Sequence, residues 1–229
     1  MLDLRRKQIE CQRQEEYQIF HKDCLVGLQR LDLFIAKEII VEIKVVSHVT
    51  RLHQAQTFSY LRAFNKRVVL LFDFGSSKPE FERIFFELRP SKSYPEDVER
   101  TIDELPTDLI SPEVAYEIIG GLYTVHEVLG PGFISRIYAN ACLYEFKLRG
   151  LAVRHNKEMQ VIYRGKTIAN IKFDHLQVED FCLVFPVAVT DINSIRFNNI
   201  KDWLRTEQIP LGIIANFHDI THKPLILKA

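Results

Sequence analysis

One pattern of strands and a helix occurs twice along the sequence. In the first half, the stretch LQRLDLFIAKEIIVEIKVV is followed by a helical segment, HQAQTFSYLRAFNKR, and an apolar strand, VVLLFDFG. In the second half, the corresponding helical segment is RFNNIKDWLRTEQIP and the corresponding strand is LGIIANFHD. Glu42 to Gln56 and Phe185 to Asn199 both span 14 residues. Self-similarity at fixed spacing indicates repeated structural units. The sequence therefore predicts a tandem duplication of one α/β unit with a mixed sheet.

The match extends upstream, where RLDLF in the first half aligns with KFDHL in the second. Asp174 is then the expected counterpart of Asp32. The step from Asp32 to Glu42 is 10 residues, whereas Asp174 to Phe185 is 11. We therefore expect the second hairpin to be one residue longer than the first.

The repeats predict three segments: a first repeat at 1–88, a linker at 89–111 and a second repeat at 112–229. The linker is rich in proline, serine and acidic residues, with one short helix near Glu96 to Glu104. Gly130-Pro131-Gly132 separates two long helical patterns at the start of the second repeat.

The first repeat has only a short counterpart of these leading helices, LDLRRKQ. Its missing helix would come from the second repeat or from another protomer, and the latter would make the protein a homodimer. No lysine followed by serine or threonine comes after the glycine pairs, so a phosphate-binding loop is not favoured. Gly120-Gly121 instead predicts close packing of helices.

Composition narrows the function classes. The 229 residues have a formal net charge of zero, so any binding of nucleic acid must depend on a local patch. The four cysteines form no CxxC pair, which argues against a structural zinc site or a disulfide framework. No signal peptide or membrane-spanning run is present. We expect a cytoplasmic protein that is not associated with membranes.

The stretch from Leu28 to Val46 alternates apolar and polar residues and predicts a β-hairpin. With its turn centred on Lys37, Asp32 lies opposite Glu42, and one face consists only of Leu, Ile and Val. A shift by one residue would mix the faces, which burial disfavours.

The two opposed carboxylates repel each other, and a divalent cation between them would offset that repulsion. Carboxylate oxygens suit Mg²⁺ or Mn²⁺. Lys44 points to the same face and could orient a water or stabilise an anionic transition state. The alternative is a solvated sheet face with an ordinary Glu–Lys pair. In the following helix His53, Gln56 and Tyr60 share one stripe, which indicates either support for this site or an exposed helix face.

The ordered set of Asp32, then Glu42-Ile43-Lys44, then Gln56 resembles the D…(D/E)xK…Q pattern of the PD-(D/E)XK nuclease superfamily. Within it, VEIKVV, HQAQTFSYL and LLFDFG are similar to the GxxExxY family, and LGPGFISRIYANACLYEFKLRGL is similar to its naming motif. The resemblance implies an α-β-β-β-α-β core and a Mg²⁺-dependent site that cleaves nucleic acid.

The resemblance also implies roles for residues of the first repeat. Asp32, Glu42 and the backbone carbonyl of Ile43 would bind the metal, Lys44 would assist the attacking water, and Gln56 would support the site. His53 and Tyr60 are further supporting candidates.

The second repeat departs from this pattern. Ser135 replaces the glutamate of GxxExxY, VEIK becomes VFPV, and Asn199 replaces the glutamine, so only Asp174 remains. Two functions follow: a metal-dependent nuclease acting through the first repeat with the second as a scaffold, or a nuclease-like binding or assembly protein without catalysis.

Overall fold

The computed structural model of the chain describes residues 2–14, 16–75, 77–85, 95–106, 108, 110–164 and 166–229. These residues belong to two compact units. Unit 1 consists of Met1–Ser91 together with Leu129–Phe133, and unit 2 consists of Lys92–Val128 and Ile134–Ala229. Within the expected linker, residues 89–94, 107 and 109 lie outside the described residues.

Unit 1 is built on a mixed five-stranded sheet. Its elements are α1 (Leu2–Arg6), β1 (Cys11–Arg13), β2 (Glu16–His21), β3 (Cys24–Arg30), β4 (Leu33–Ile35), β5 (Ile39–Lys44), α2 (Arg51–Ala63), β6 (Val68–Asp73) and β7 (Glu80–Phe85). The strand order is β1-β4-β5-β6-β7, and β2 pairs with β3 in a separate ribbon. The strand expected from Arg30 to Phe34 is therefore interrupted, since Arg30 ends β3 and Leu33 begins β4.

The β4–β5 hairpin has the predicted register. Leu33 pairs with Val41 and Ile35 with Ile39, which centres the turn on Lys37. Ala36 and Lys37 both have positive φ, 51° and 57°, and Glu38 N donates to Ile35 O at 3.0 Å. Two left-handed residues inside such a turn match the right-handed twist of the flanking strands.

The prediction that the aliphatic face of this hairpin is buried is wrong in part. Ile43 and Val45 are 40% and 76% exposed, whereas Glu42 on the opposite face is 8% exposed. Helix α2 packs over this face of the sheet: its Gln54 donates two hydrogen bonds to Glu82 of β7, at 2.9 and 3.0 Å, and both Glu82 and Glu42 lie opposite Leu71 of β6. The carboxylate face therefore lies beneath a helix.

Unit 2 contains a second five-stranded sheet and most of the helical residues. Its elements are α3 (Pro95–Asp103), α4 (Pro112–Leu129, whose last residue counts with unit 1), α5 (Ser135–Leu148), β8 (Val153–Tyr163), β9 (Lys166–Val178), β10 (Cys182–Val187), a 3₁₀ turn (Ile192–Ser194), α6 (Phe197–Thr206), β11 (Leu211–Asn216) and β12 (Leu225–Lys228). The helices expected in the linker and on both sides of Gly130-Pro131-Gly132 are confirmed.

A glycine allows two helices of unit 2 to pack closely. A Cβ on Gly121 would lie 2.9 Å from Cε1 of Phe146, so close packing of α4 on α5 requires the glycine. Helix α5 contacts β8, β9 and β10. Helix α6 contributes Trp203 and Leu204 to a core with Phe185.

The two sheets have the same internal pairing. Strands β5 and β6 are parallel with Ile39 opposite Val68, and β10 and β11 are parallel with Cys182 opposite Leu211. Residue numbers in the second pair exceed those in the first by 143 (39 to 182, 68 to 211). The same offset relates β4–β5 to β9–β10 and β6–β7 to β11–β12.

The C-terminal ends of α2 and α6 are also alike. Lys66 N donates to Leu61 O, and Ile209 N donates to Leu204 O, both at 2.9 Å. The residues that precede the donors, Asn65 and Gln208, have φ of 49° and 57°. The same local geometry therefore connects the helix to the parallel strand in both units.

The expectation of a longer second hairpin is wrong. Val184 pairs with Leu176, and one further step in that register puts His175, not Asp174, opposite Phe185. The rings of His175 and Phe185 lie 5.8 Å apart. His175 therefore occupies the place that Asp32 has in unit 1. Because successive side chains of a strand alternate between faces, Asp174 points to the other face.

Candidate active site

Three side chains of unit 1 meet at the end of the β4–β5 hairpin. Asp32 immediately precedes β4, and its Oδ2 accepts a hydrogen bond from Ile43 N at 2.8 Å. Continuing the observed register by one residue from Leu33 and Val41 puts Asp32 opposite Glu42, as the sequence predicts. Lys44 Nζ donates to Glu42 Oε1 at 2.9 Å. Two acids and one base thus share a single sheet face.

Glu42 lies in a poorly solvated position. Its side chain is 11% exposed, and that of its partner Lys44 is 21% exposed. Burial raises the pKa of Glu42 above its ordinary value, Lys44 opposes the rise, and the charge of Asp32 adds to it. A second positive charge at this position would favour the ionised carboxylate.

Helix α2 begins above this face with a capping box. His53 N donates to Thr50 Oγ1 at 3.4 Å, and Thr50 N donates to Nδ1 of His53 at 3.2 Å. These hydrogen bonds satisfy backbone groups at the helix start. The geometry gives His53 a structural role at the N-terminus of α2.

Gln56 and Tyr60 lie further along α2, against the segment Leu129–Phe133 of the same unit. The Tyr60 hydroxyl donates to Gly132 O at 3.3 Å, and Tyr60 is 5% exposed. A Cβ on Gly132 would lie 3.1 Å from Cβ of Gln56. The stripe of His53, Gln56 and Tyr60 is therefore partly buried packing and capping, not an exposed helix face.

Asp73 is a residue of this region that the sequence argument missed. It lies at the end of β6, opposite Lys44 in the strand register, and is 3% exposed. Its Oδ1 accepts from Val46 N at 3.1 Å and from Gly75 N at 2.9 Å, and these two hydrogen bonds lower its pKa. Asp73 therefore fixes the backbone directly after Lys44.

A signal for Asp73 was present in the sequence. LLFD in the first half aligns with IIAN in the second, so a polar residue ends the apolar strand at the same place. Asn216 Oδ1 accepts from Val189 N at 3.1 Å and from His218 N at 3.2 Å, the equivalent two contacts in unit 2.

The chemistry of the donor set fits a hard divalent cation. Carboxylate oxygens are the ligands that Mg²⁺ prefers, and Mg²⁺ usually takes one or two carboxylates from a protein and keeps several waters. Asp32 and Glu42 supply two carboxylates, and a cation beside them would stabilise the ionised form of Glu42, whose pKa burial raises. Within the described ranges, no three His, Cys, Asp or Glu side chains form a metal-binding group. Water and backbone oxygens would complete the coordination.

The corresponding face of unit 2 lacks these groups. His175, Phe185 and Val187 stand where unit 1 has Asp32, Glu42 and Lys44, and Phe185 and Val187 are 0% and 3% exposed. Asp174 Oδ1 pairs with Nε2 of His155 at 2.9 Å, on the opposite face of β9 from His175. An apolar face of this kind offers no ligands to Mg²⁺.

Ser135 also has a contact within unit 2. Its Oγ accepts a hydrogen bond from Ala188 N at 2.9 Å, next to the end of β10. The hydroxyl thus holds the backbone at the end of this strand.

Comparison with known protein families decides the classification. The model of the PD-(D/E)XK nuclease superfamily matches residues 1–84 and 112–227. The chain belongs to the PD-(D/E)XK nuclease superfamily. Its mixed α/β architecture, with a helix between the two parallel strands of each sheet, is consistent with that fold. Neither the curated proteins nor the solved structures contain a significant match to the chain.

Membership in the PD-(D/E)XK superfamily supports a nuclease function in general terms, and such nucleases typically use divalent metals. Among the helices that the structure describes, none is both long and apolar enough to cross a membrane.

Proposed function

We propose that unit 1 is a metal-dependent phosphodiesterase that cleaves nucleic acid. The main support is the shared face of Asp32, Glu42 and Lys44, where a carboxylate of raised pKa lies under a helix beside a second carboxylate and an ammonium group. Perturbed groups of this kind concentrate at functional sites. The superfamily match supplies the reaction class.

Each residue has a role in this proposal. Asp32, Glu42 and the backbone carbonyl of Ile43 would hold Mg²⁺ or Mn²⁺. When bound, such a cation lowers the pKa of a water molecule and stabilises negative charge on phosphate oxygens. Lys44 would orient the attacking water and neutralise charge on the phosphate, and Gln56 would support the site from α2.

We further infer that the chain is a tandem duplication related to the GxxExxY family and that unit 2 is a non-catalytic scaffold. Support comes from the offset of 143 residues, which preserves the register of three strand pairs and the hydrogen bonds of Asp73 and Asn216. In unit 2 the equivalent face is aromatic and aliphatic.

A second function is a nuclease-like binding protein without catalysis. One observation favours it: Lys44 already pairs with Glu42 at 2.9 Å, so the ammonium competes with a cation for the carboxylate. The chain has no net charge, and binding to nucleic acid in either case would depend on local contacts. We expect the protein to act in the cytoplasm.

Titration with divalent metal separates the two functions. The wild-type chain and the Glu42→Gln and Asp32→Asn variants are incubated with plasmid DNA, single-stranded DNA and RNA in Mg²⁺, in Mn²⁺ and in EDTA. We expect cleavage by the wild type with metal only, and a loss of roughly 100-fold or more in each variant.

Asp174→Asn in unit 2 is the matched control, because it makes the same chemical change outside the candidate site. It should cleave like the wild type, and Mn²⁺ should raise the melting temperature of this control and of the wild type only. No cleavage of any substrate, with an identical response of all variants to Mn²⁺, would leave the binding function as the better account.

A further inference from the structure

The segment Leu129–Phe133 lies between α4 and α5 in the sequence, yet it packs as part of unit 1. Its glycines adopt conformations that other residues rarely take, with φ of 67° at Gly130 and 124° at Gly132. A Cβ on Gly130 would lie 2.5 Å from Ser59 Oγ. Both the backbone conformation and the close approach of helix α2 therefore favour glycine at Gly130.

The contacts of this segment fall on one stripe of α2. On Gly132, a Cβ would meet Cβ of Gln56 at 3.1 Å and its Cα at 3.2 Å. Tyr60 donates its hydroxyl to Gly132 O, and its ring meets the ring of Phe133 edge-on at 5.9 Å. Residues at i, i+3 and i+4 of a helix share a face. Gln56, Ser59 and Tyr60 therefore form the surface on which the segment lies.

We infer that Leu129–Phe133 is a positioning segment for the candidate active site: it holds α2, the helix that carries Gln56, in place against the sheet. The part of this inference that concerns activity rests on the function proposed above. Its structural part does not. Residues from the second half of the sequence would then be needed to complete the site of the first half.

Physical reasons make α2 dependent on such contacts. The helix has 13 residues, a length at which isolated helices are marginal in water, so packing must stabilise it. One side faces the sheet through Gln54 and Glu82. The segment supplies buried packing on the stripe of Gln56 and Tyr60, and Tyr60 and Phe133 are 5% and 4% exposed.

The test compares Gly132→Ala with Gly150→Ala in the full chain. Both glycines have positive φ, 124° and 79°, but a Cβ on Gly150 would meet nothing within 4 Å. Both variants thus place alanine in an unfavourable conformation, and only Gly132→Ala adds contact with α2. Hydrogen exchange of α2 amides, measured by mass spectrometry, is the first readout.

We expect α2 to exchange roughly 10-fold faster or more in Gly132→Ala, and within about twofold of the wild type in Gly150→Ala. Tyr60→Phe removes only the hydroxyl that donates to Gly132 O, so it should raise the exchange rate of α2 amides by a smaller factor. This variant serves as the test if Gly132→Ala does not fold. Unchanged α2 exchange in a folded Gly132→Ala variant, or in Tyr60→Phe if that variant alone folds, would overturn the inference.

A double-mutant cycle with Gln56→Ala tests the link to activity. If the segment acts by placing Gln56, Gly132→Ala should lower kcat in the wild-type background and have little effect once Gln56 is alanine. Equal losses in both backgrounds would overturn the positioning role and leave a purely structural one. If the wild type cleaves nothing, the proposed function fails, while hydrogen exchange still decides the structural part.

Discussion

Lys44→Met removes one partner of the buried ion pair in unit 1 and keeps a side chain of similar length. The Glu42 carboxylate would then remain beside Asp32 without its ammonium partner. Breaking a fully buried pair costs roughly 3–5 kcal/mol, and an exposed pair contributes about 0–1 kcal/mol. With Glu42 and Lys44 at 11% and 21% exposure, we expect the free energy of unfolding of unit 1 to fall by about 2–3 kcal/mol at pH 8.

The loss should depend on pH, with a sign that follows from the pKa of Glu42. Burial raises this pKa above the ordinary value of 4.5, and Lys44 opposes the rise. A carboxyl group whose pKa is higher in the folded state stabilises the fold at low pH, and this contribution disappears as the pH rises through the folded-state pKa. Without Lys44 the pKa of Glu42 rises further. The stability of Lys44→Met should therefore be closest to that of the wild type at low pH, and the loss of stability should be largest at pH 8.

The measurement needs a probe within unit 1, because a chain with two units need not unfold in one step. Hydrogen exchange of β5 peptides in a urea series at pH 5 and pH 8, corrected for intrinsic exchange rates, gives the local free energy. Lys66→Met is the control, since Lys66 lies 3.5 Å from Glu38 in a pair with side chains 23% and 74% exposed. It should lose less than about 1 kcal/mol. Equal losses for both variants at pH 8 would refute the buried-pair argument.

Two further predictions concern single buried groups. Asp73→Asn should unfold at urea concentrations close to the wild type, because Asn216 makes the same contacts in unit 2, whereas Asp73→Ala should unfold earlier; equal midpoints for Asn and Ala would contradict this. Burial, together with the nearby His126, lowers the pKa of His222 well below 6.5. The free energy of unfolding of unit 2 should therefore fall by up to about 1.4 kcal/mol per pH unit as the pH decreases below 6.5. Urea titrations followed by Trp203 fluorescence should show a shallower pH slope in His222→Phe, and an unchanged slope would argue against His222 as its source.

Local patterning allowed much of the fold to be predicted. Periodicity and capping residues located α2, α4 and α5, because these signals depend on neighbours within a few turns of chain. The register of β4 and β5 also followed from the sequence, since a slip by one residue exchanges the two faces of a strand. The superfamily resemblance rested on the same residues and agrees with the family match.

The residue of unit 2 that is equivalent to Asp32 could not be identified by aligning the two halves of the sequence, because strand pairing decides it. The alignment of RLDLF with KFDHL makes Asp174 the counterpart of Asp32, but the β9–β10 register puts His175 at that position. An aspartate at Asp174 can be kept for its contact with His155, which is unrelated to the site. Residue identity alone does not distinguish the equivalent position from a neighbouring residue that has a different partner.

The sequence by itself determined the repeated pattern, the hairpin register and the common face of Asp32, Glu42 and Lys44. These features depend on alternation and spacing along a short stretch of chain, which the order of residues specifies directly. Tertiary structure alone decided that the Glu42 face is covered by α2, and that Gly132 lies against Gln56 although 76 positions separate them in the numbering. Burial and long-range contacts depend on which elements pack together, and no local pattern encodes that choice.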